Sequence, residues 1–353
     1  MKKIGLPHKV LDYCCPINGL EDQYEWKTGL RLPGFFLMDM SNIGFIYLKR
    51  NMAPAPRMIG WGDGVGSSQY EFLADVMGFR LRRSEGLPFD EAWREARDSV
   101  DRGLPPILGF LDMFHLRYYP KFYHRYHIPH HFVTLVGYDE AGGKALIQDN
   151  GVAEVQALPL EELRQAWNVS VPGLGKRNTF HSFEFGEAIA SPDEIAAKGL
   201  RKRAKLFLES PAGFMGLRGM RKAAAEFSLW KPELSEARCV ESLRYLVTFS
   251  CSVVPNPPQR LLPYPLGYDD PHRGIRDRFS RELAALAGRL DRPAWGKAAD
   301  LLRESGALIG ALTEVATGAV LGEAGAFDVF EGAAPELMIQ IADIEERAFG
   351  LLL

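Results

Sequence analysis

The chain reads as an α+β protein, and three observations predict it. Its first half alternates short runs rich in Val, Ile, Leu and Phe with Gly, Pro and Asp turns. Its second half carries apolar residues at helical spacing over long stretches, separated by Pro and Gly breaks. The change follows the segment LPLEELRQAWN at residues 158–168. An N-terminal domain with an antiparallel sheet is therefore expected over residues 1–165, and a mostly helical domain over 166–353.

The elements follow in order. CPINGLEDQYEW reads as an amphipathic helix with Ile17, Leu20 and Tyr24 on one face. Pro16 suits its first turn, where a missing N–H costs nothing. GWGDGVGSSQYEFLADVMGF, residues 60–79, places glycines before a helix that Ser67 and Ser68 are suited to cap. It lacks the Lys-Ser/Thr pair of a phosphate-binding loop, so a flexible loop lining a cleft is expected there. FDEAWREARDSVDRG, residues 89–103, is a helix that stops at Gly103 with Pro105 beyond. ILGFLDMF (107–114), FVTLVGYD (132–139) and KALIQDN (144–150) are strands, the last two joined through DEAGG as an antiparallel hairpin. Helices are expected over 193–208, 218–229, 234–252, 272–290, 293–317 and 333–351, with the Pro-rich segment 253–271 as an irregular loop or lid.

Composition bounds the function. The 353 residues are 46% hydrophobic and 25% charged, enough for about two domains. A net charge of −3 supplies no global positive field, which argues against nucleic acid or an anionic membrane as partner. No signal-peptide run and no stretch of about twenty apolar residues occurs, so a cytoplasmic protein without an integral membrane segment is expected. Four cysteines in such a chain are free thiols rather than a disulfide framework. Seven basic residues, Arg201, Lys202, Arg203, Lys205, Arg218, Arg221 and Lys222, fall within 198–227. A solvated helix face, a docking patch for an acidic protein and a peripheral membrane contact are the readings of that stretch.

Chemistry concentrates at the N-terminus. A cysteine at a helix start gains acidity from unpaired N–H groups and the helix dipole. Cys15 fits this position, with Cys14 as the alternative and Cys239 and Cys251 as core thiols. A nucleophilic cysteine needs a base, and the base an orienting group. His131 opens one hairpin strand and Asp149 closes the next, so antiparallel pairing brings them to one end of the sheet. Five of the eight histidines lie in residues 115–131, but no CxxC or HExxH accompanies them, and no metal is expected. The interleaved aromatics suggest a channel wall or an exposed loop.

The cysteine at a helix start, SNIGFIYLKRNMAPAP, LPPILGFLDMFHLRYYPKFYHRYHIPHHFVTLVGYD and ALIQDNG together resemble the N-terminal domain of the butirosin biosynthesis protein H family. That domain is papain-like and akin to bacteriocin-processing leader peptidases. RDRFSRELAALAGRLDRPAWGKAADLL and IADIEERAFGLLL resemble the helical domain that follows it. The resemblance implies a cysteine-dependent acyltransferase of natural-product biosynthesis. An acyl group on the phosphopantetheine of an acyl carrier protein would pass through the cysteine to a small-molecule amine, with no further cofactor. By this resemblance Cys15, His131 and Asp149 are nucleophile, base and orienting group, and the spacing to Leu20 favours Cys15 over Cys14. The leader peptidases carry an oxyanion-hole glutamine where this chain has Lys9, beside His8, which argues against peptidase activity. The helical domain is expected to cover the cleft or to form a homodimer contact. A hydrolase of peptidase or thioesterase type and a non-catalytic scaffold are the alternatives.

Overall fold

Antiparallel strand pairing organises the N-terminal part of the chain, as its turn-separated apolar runs require. A computed structural model describes residues 1–11, 15–33, 35–50, 56–62, 67–172, 174–250 and 275–353. Cys14, Cys251, the loop 63–66 and the Pro-rich segment 253–271 lie outside the described residues. In chain order the elements begin with β1 (Lys2–Lys3), α1 (Cys15–Thr28), α2 (Phe36–Asn42), β2 (Ile46–Lys49), β3 (Arg57–Gly60) and α3 (Ser67–Met77). There follow β4 (Phe79–Ser84), α4 (Phe89–Asp101), β5 (Ile107–Leu111), β6 (His131–Asp139), β7 (Lys144–Asp149), β8 (Val152–Pro159), α5 (Leu160–Trp167) and β9 (Phe180–Phe185). The helices α6 (Pro192–Leu208), α7 (Gly216–Glu226), α8 (Trp230–Glu233), α9 (Glu236–Ser250), α10 (Ile275–Arg289), α11 (Pro293–Val320) and α12 (Ala326–Gly350) complete the chain. The protein is α+β, as its sequence predicts.

The chain divides into two units, Met1–Ser41 with Gly64–Ile195, and Asn42–Asp63 with Ala196–Leu353. This differs from a division at residue 165 for a physical reason. Strand β9 pairs with both β4 and β5, so hydrogen bonding carries the first unit past residue 180. Strands β2 and β3 pair with each other rather than with this sheet, and they belong to the second unit.

In the first unit the sheet runs β4-β9-β5-β6-β7-β8, with β1 also on β6. One core joins Leu108, Val133, Leu135, Ala145 and Ile147 of the strands to Ala92, Ala96 and Val100 of α4 and Leu163 and Trp167 of α5. Helix α1 approaches β5 and β6 at Gly19. A Cβ there would lie 1.9 Å from Thr134 Oγ1 and 3.1 Å from Ile107 Cδ1. Only glycine allows so close an approach. Helix α1 is also more deeply set than an amphipathic surface helix: every residue from Pro16 to Tyr24 is buried, including Asn18, Glu21, Asp22 and Gln23.

The second unit holds the β2–β3 hairpin and the helices from residue 196 onward. The expected helices are present with shifted ends, and α12 starts at Ala326 rather than 333. A buried ion pair, Arg276 Nε to Glu345 Oε1 at 2.6 Å, joins α10 to α12, and Ser305 Oγ of α11 donates to the same oxygen at 2.7 Å. Such a pair gains from its extra hydrogen bonds, since desolvation alone would cost several kcal/mol, on the order of the attraction.

The basic stretch is not a uniform solvated face. Arg203 is buried, Arg221 pairs with Asp343 and Glu346, and Lys205 lies 4.0 Å from Glu209. Cys239 is a core thiol, buried and donating to Trp230 O. Among the described residues no helix is long and apolar enough to cross a membrane.

Candidate active site

The site lies where the start of α1 meets the open ends of β6 and β7. Cys15 is the first residue of α1, and its thiol is partly exposed. Its Sγ points toward His130 O at 4.0 Å. The Cys15 side chain also lies close enough to the His131 ring to favour a proton on it. His131 begins β6 opposite Leu111 of β5, and its Nε2 lies 2.7 Å from Asp149 Oδ2 at the end of β7. With Nε2 taken by the carboxylate, Nδ1 is the ring atom left for the thiol. The structure thus brings Cys15, His131 and Asp149 together, with the thiol beside the ring and the ring hydrogen-bonded to the carboxylate.

Burial shapes the electrostatics. The His131 and Asp149 side chains are 7% and 0% exposed. Desolvation opposes a charge on His131, but the Asp149 carboxylate and the bond to Cys15 outweigh it and push the imidazole up to about 10. Burial would likewise raise Asp149. The His131 charge and three donated hydrogen bonds reverse this and hold the carboxyl below its ordinary range. A buried carboxylate with these partners orients the imidazole and favours its protonated form.

Two of those donors are tyrosines that the sequence did not single out. Tyr118 donates to Asp149 Oδ2 at 2.8 Å and Tyr119 to Oδ1 at 2.6 Å. Burial and the neighbouring carboxylate raise Tyr118 well above its ordinary value, so it stays a donor. Asp112 places them. Its Oδ1 accepts from Phe114 N at 3.0 Å and Ile128 N at 2.9 Å, closing both ends of the loop that carries them. Its Oδ2 meets His127 Nδ1 at 2.6 Å. The aromatic run expected to form a channel wall therefore turns two hydroxyls onto Asp149, while His124 and His127 remain exposed. The only sequence signal was the Tyr-Tyr pair within an otherwise irregular aromatic loop. Among the described residues no group of three or more His, Cys, Asp or Glu side chains is placed to hold a metal ion.

Lys9, at the leader-peptidase glutamine position, is held through its backbone. Its N–H donates to Asp22 Oδ1 at 3.2 Å, and its carbonyl accepts from Asn18 Nδ2 at 2.7 Å. Its side chain lines a recess with Glu21, Asp22, Glu25, Arg31 and Leu32. Tyr70 donates to Pro16 O in the first turn of α1, and burial with the nearby Cys15 charge raises it well above its ordinary value.

Residues 15–150 match the family model described as butirosin biosynthesis protein H, N-terminal. This is the family recognised from the sequence, and the match starts at Cys15 and takes in His131 and Asp149. The helical second half lies outside it. No curated protein matches the chain.

Proposed function

We propose that this protein is a cysteine-dependent acyltransferase of natural-product biosynthesis, which takes an acyl group from an acyl carrier protein thioester and delivers it to an amine. The observation that carries the reading is the buried His131–Asp149 pair at 2.7 Å, with Cys15 beside the same imidazole at the start of a helix.

His131 already holds the proton, so the pair rests as Cys15 thiolate and imidazolium, and the thiolate attacks the thioester carbonyl. The tetrahedral oxyanion forms beside the unpaired N–H groups at the start of α1, where Cys15 N–H supplies a donor and Pro16 cannot. Collapse breaks the carbonyl carbon's bond to the pantetheine sulfur, which leaves with the proton from His131. The amine then attacks the acyl-enzyme while His131 accepts its proton. The second collapse frees the amide and restores the Cys15 thiolate beside protonated His131. Asp149 stays ionised throughout and keeps the ring in register.

Intact-protein mass spectrometry with an acyl-pantetheine thioester tests this. The expected result is one acyl adduct that maps to Cys15, needs His131 and decays faster when an amine is added. Decay at the same rate with and without amine would assign hydrolysis. An adduct on Cys14 would move the nucleophile by one residue, and undiminished adduct in a Cys14→Ser, Cys15→Ser protein would refute the mechanism.

A further inference from the structure

The segment between β1 and α1 forms no regular element over residues 4–11, yet it is tied on both sides. Toward the sheet, Ile4 N donates to Val136 O at 2.7 Å and Gln148 Nε2 to Leu6 O at 3.0 Å. Leu11 N donates to Asn150 O at 2.9 Å, and Asn150 Nδ2 returns a bond to Leu11 O at 2.8 Å. Toward α1, Asn18 and Asp22 hold the Lys9 backbone. His8 joins the two sides. Its Nδ1 lies 2.7 Å from Asp22 Oδ2 on α1, and its Nε2 lies 3.1 Å from Asp149 O and 3.0 Å from Val152 O. Both side chains are buried, at 7% and 2% exposure.

We propose that His8 and Asp22 form a positioning dyad that locks the helix carrying Cys15 to the backbone of Asp149. The proposal rests on the reading of Cys15, His131 and Asp149 as the reacting set. Two carbonyl oxygens at Nε2 can only accept, so Nε2 carries a proton, and the ring has one orientation that satisfies both ends. Asp22 Oδ1 meanwhile holds the Lys9 N–H, so a single carboxylate fixes both the ring and the strap. Burial opposes protonation of His8, but the bond and charge of Asp22 and the two carbonyls prevail and raise it. Asp22 is raised by its burial. Without the dyad, the start of α1 and the end of β7 lose their shared cross-tie, and a shift of about 1 Å between reacting groups costs about a hundredfold in rate. The dyad touches neither thiol nor imidazole and acts through the elements that carry them.

The test measures acyl transfer from an acyl-pantetheine thioester in the full-length protein. His8→Ala and Asp22→Ala are expected to lower kcat about ten- to a hundredfold with KM nearly unchanged. Asp22→Asn is expected to restore most of the rate, because its amide can donate to a neutral His8 Nδ1 while its oxygen still accepts from Lys9 N–H. Should His8→Ala fail to fold, His8→Gln carries the test: its amide reaches the carbonyls but not Asp22 as well, so a loss in kcat is still expected. A wild-type kcat in His8→Ala or His8→Gln would overturn the proposal, as would equal damage from Asp22→Asn and Asp22→Ala. The wild-type control separates the two readings, since absence of an adduct on Cys15 there refutes the nucleophile itself rather than the dyad.

Discussion

Replacing Gly19 by Ala should uncouple reactivity from stability at this site. The new Cβ would sit 1.9 Å from Thr134 Oγ1, and ordinary contact is about 3.5 Å, so helix and strand must part by roughly 1.5 Å unless Thr134 moves. Thr134 is buried and its β-branch restricts χ1, while Ile107 Cδ1 and Cγ1 crowd the same Cβ at 3.1 and 3.2 Å. Overpacking of this kind costs ~1–3 kcal/mol. Ala gains back ~1 kcal/mol of helix propensity over Gly, so the net loss of stability is ~0–2 kcal/mol. The position lies one turn after Cys15, and a displacement of about 1 Å in a reacting group costs about a hundredfold. The assay is the rate of iodoacetamide alkylation of Cys15, resolved by peptide mass spectrometry, alongside the melting temperature. The expected result is a fall of ten- to a hundredfold in alkylation with a change of only a few degrees in Tm. Thr134→Ala in the same chain removes the closest clash and should recover most of the rate. Wild-type alkylation in Gly19→Ala would refute the claim that this close approach sets the reactivity of Cys15.

The tyrosines and the buried pair make further predictions. Tyr119→Phe removes a hydrogen bond to a buried carboxylate, a loss of ~1.5–3 kcal/mol, so Tm and the acylation rate should both fall. Tyr118→Phe should act in the same direction, and if neither change moves Tm or rate, the tyrosines do not hold Asp149. For pH, His131 is raised from its ordinary 6.5 to about 10, so its contribution is full below about pH 6.5 and is lost as pH rises through about 10. Asp149 is lowered, so its contribution is full above its unfolded value of about 4 and is lost as pH falls through its folded value. The Tm gap between wild type and His131→Gln should therefore be widest between about pH 4 and 6.5 and narrow steadily toward pH 10. A gap that stays constant from pH 6.5 to 10 would mean that the His131 charge does not stabilise the fold.

The legible strands were those whose neighbours bury them on both faces. Strands β5, β6 and β7 are central, and their apolar runs announce them. Strand β4, FRLRRS, lies at a sheet edge with its arginines largely turned to solvent, so it lacks the apolar run that marks a central strand. Strand β8 lies at the other edge, and none of its residues before Leu158 is buried. Strand β9 is central yet buries His181 and Ser182 beside its phenylalanines, so composition hides it, and with it the true extent of the first unit.

The site divides along the same line. Cys15, His131 and Asp149 were legible because each has a local mark: a helix start before proline, and two ends of one hairpin. The residues that hold them have none. Tyr118 and Tyr119 meet Asp149 across some thirty residues, and His8 meets its backbone across 141. A buried Asp22 in α1 looks, in sequence, like a solvent-facing acid of an amphipathic helix, because the strap that covers it comes from outside the helix. Local periodicity reports which face of an element is apolar, not what covers its polar face. The three candidate residues are therefore marked by short motifs, while the groups that set their spacing come from backbone paths that no motif records. Mutations that leave Cys15, His131 and Asp149 intact but cut those paths are accordingly expected to be the most informative about this protein.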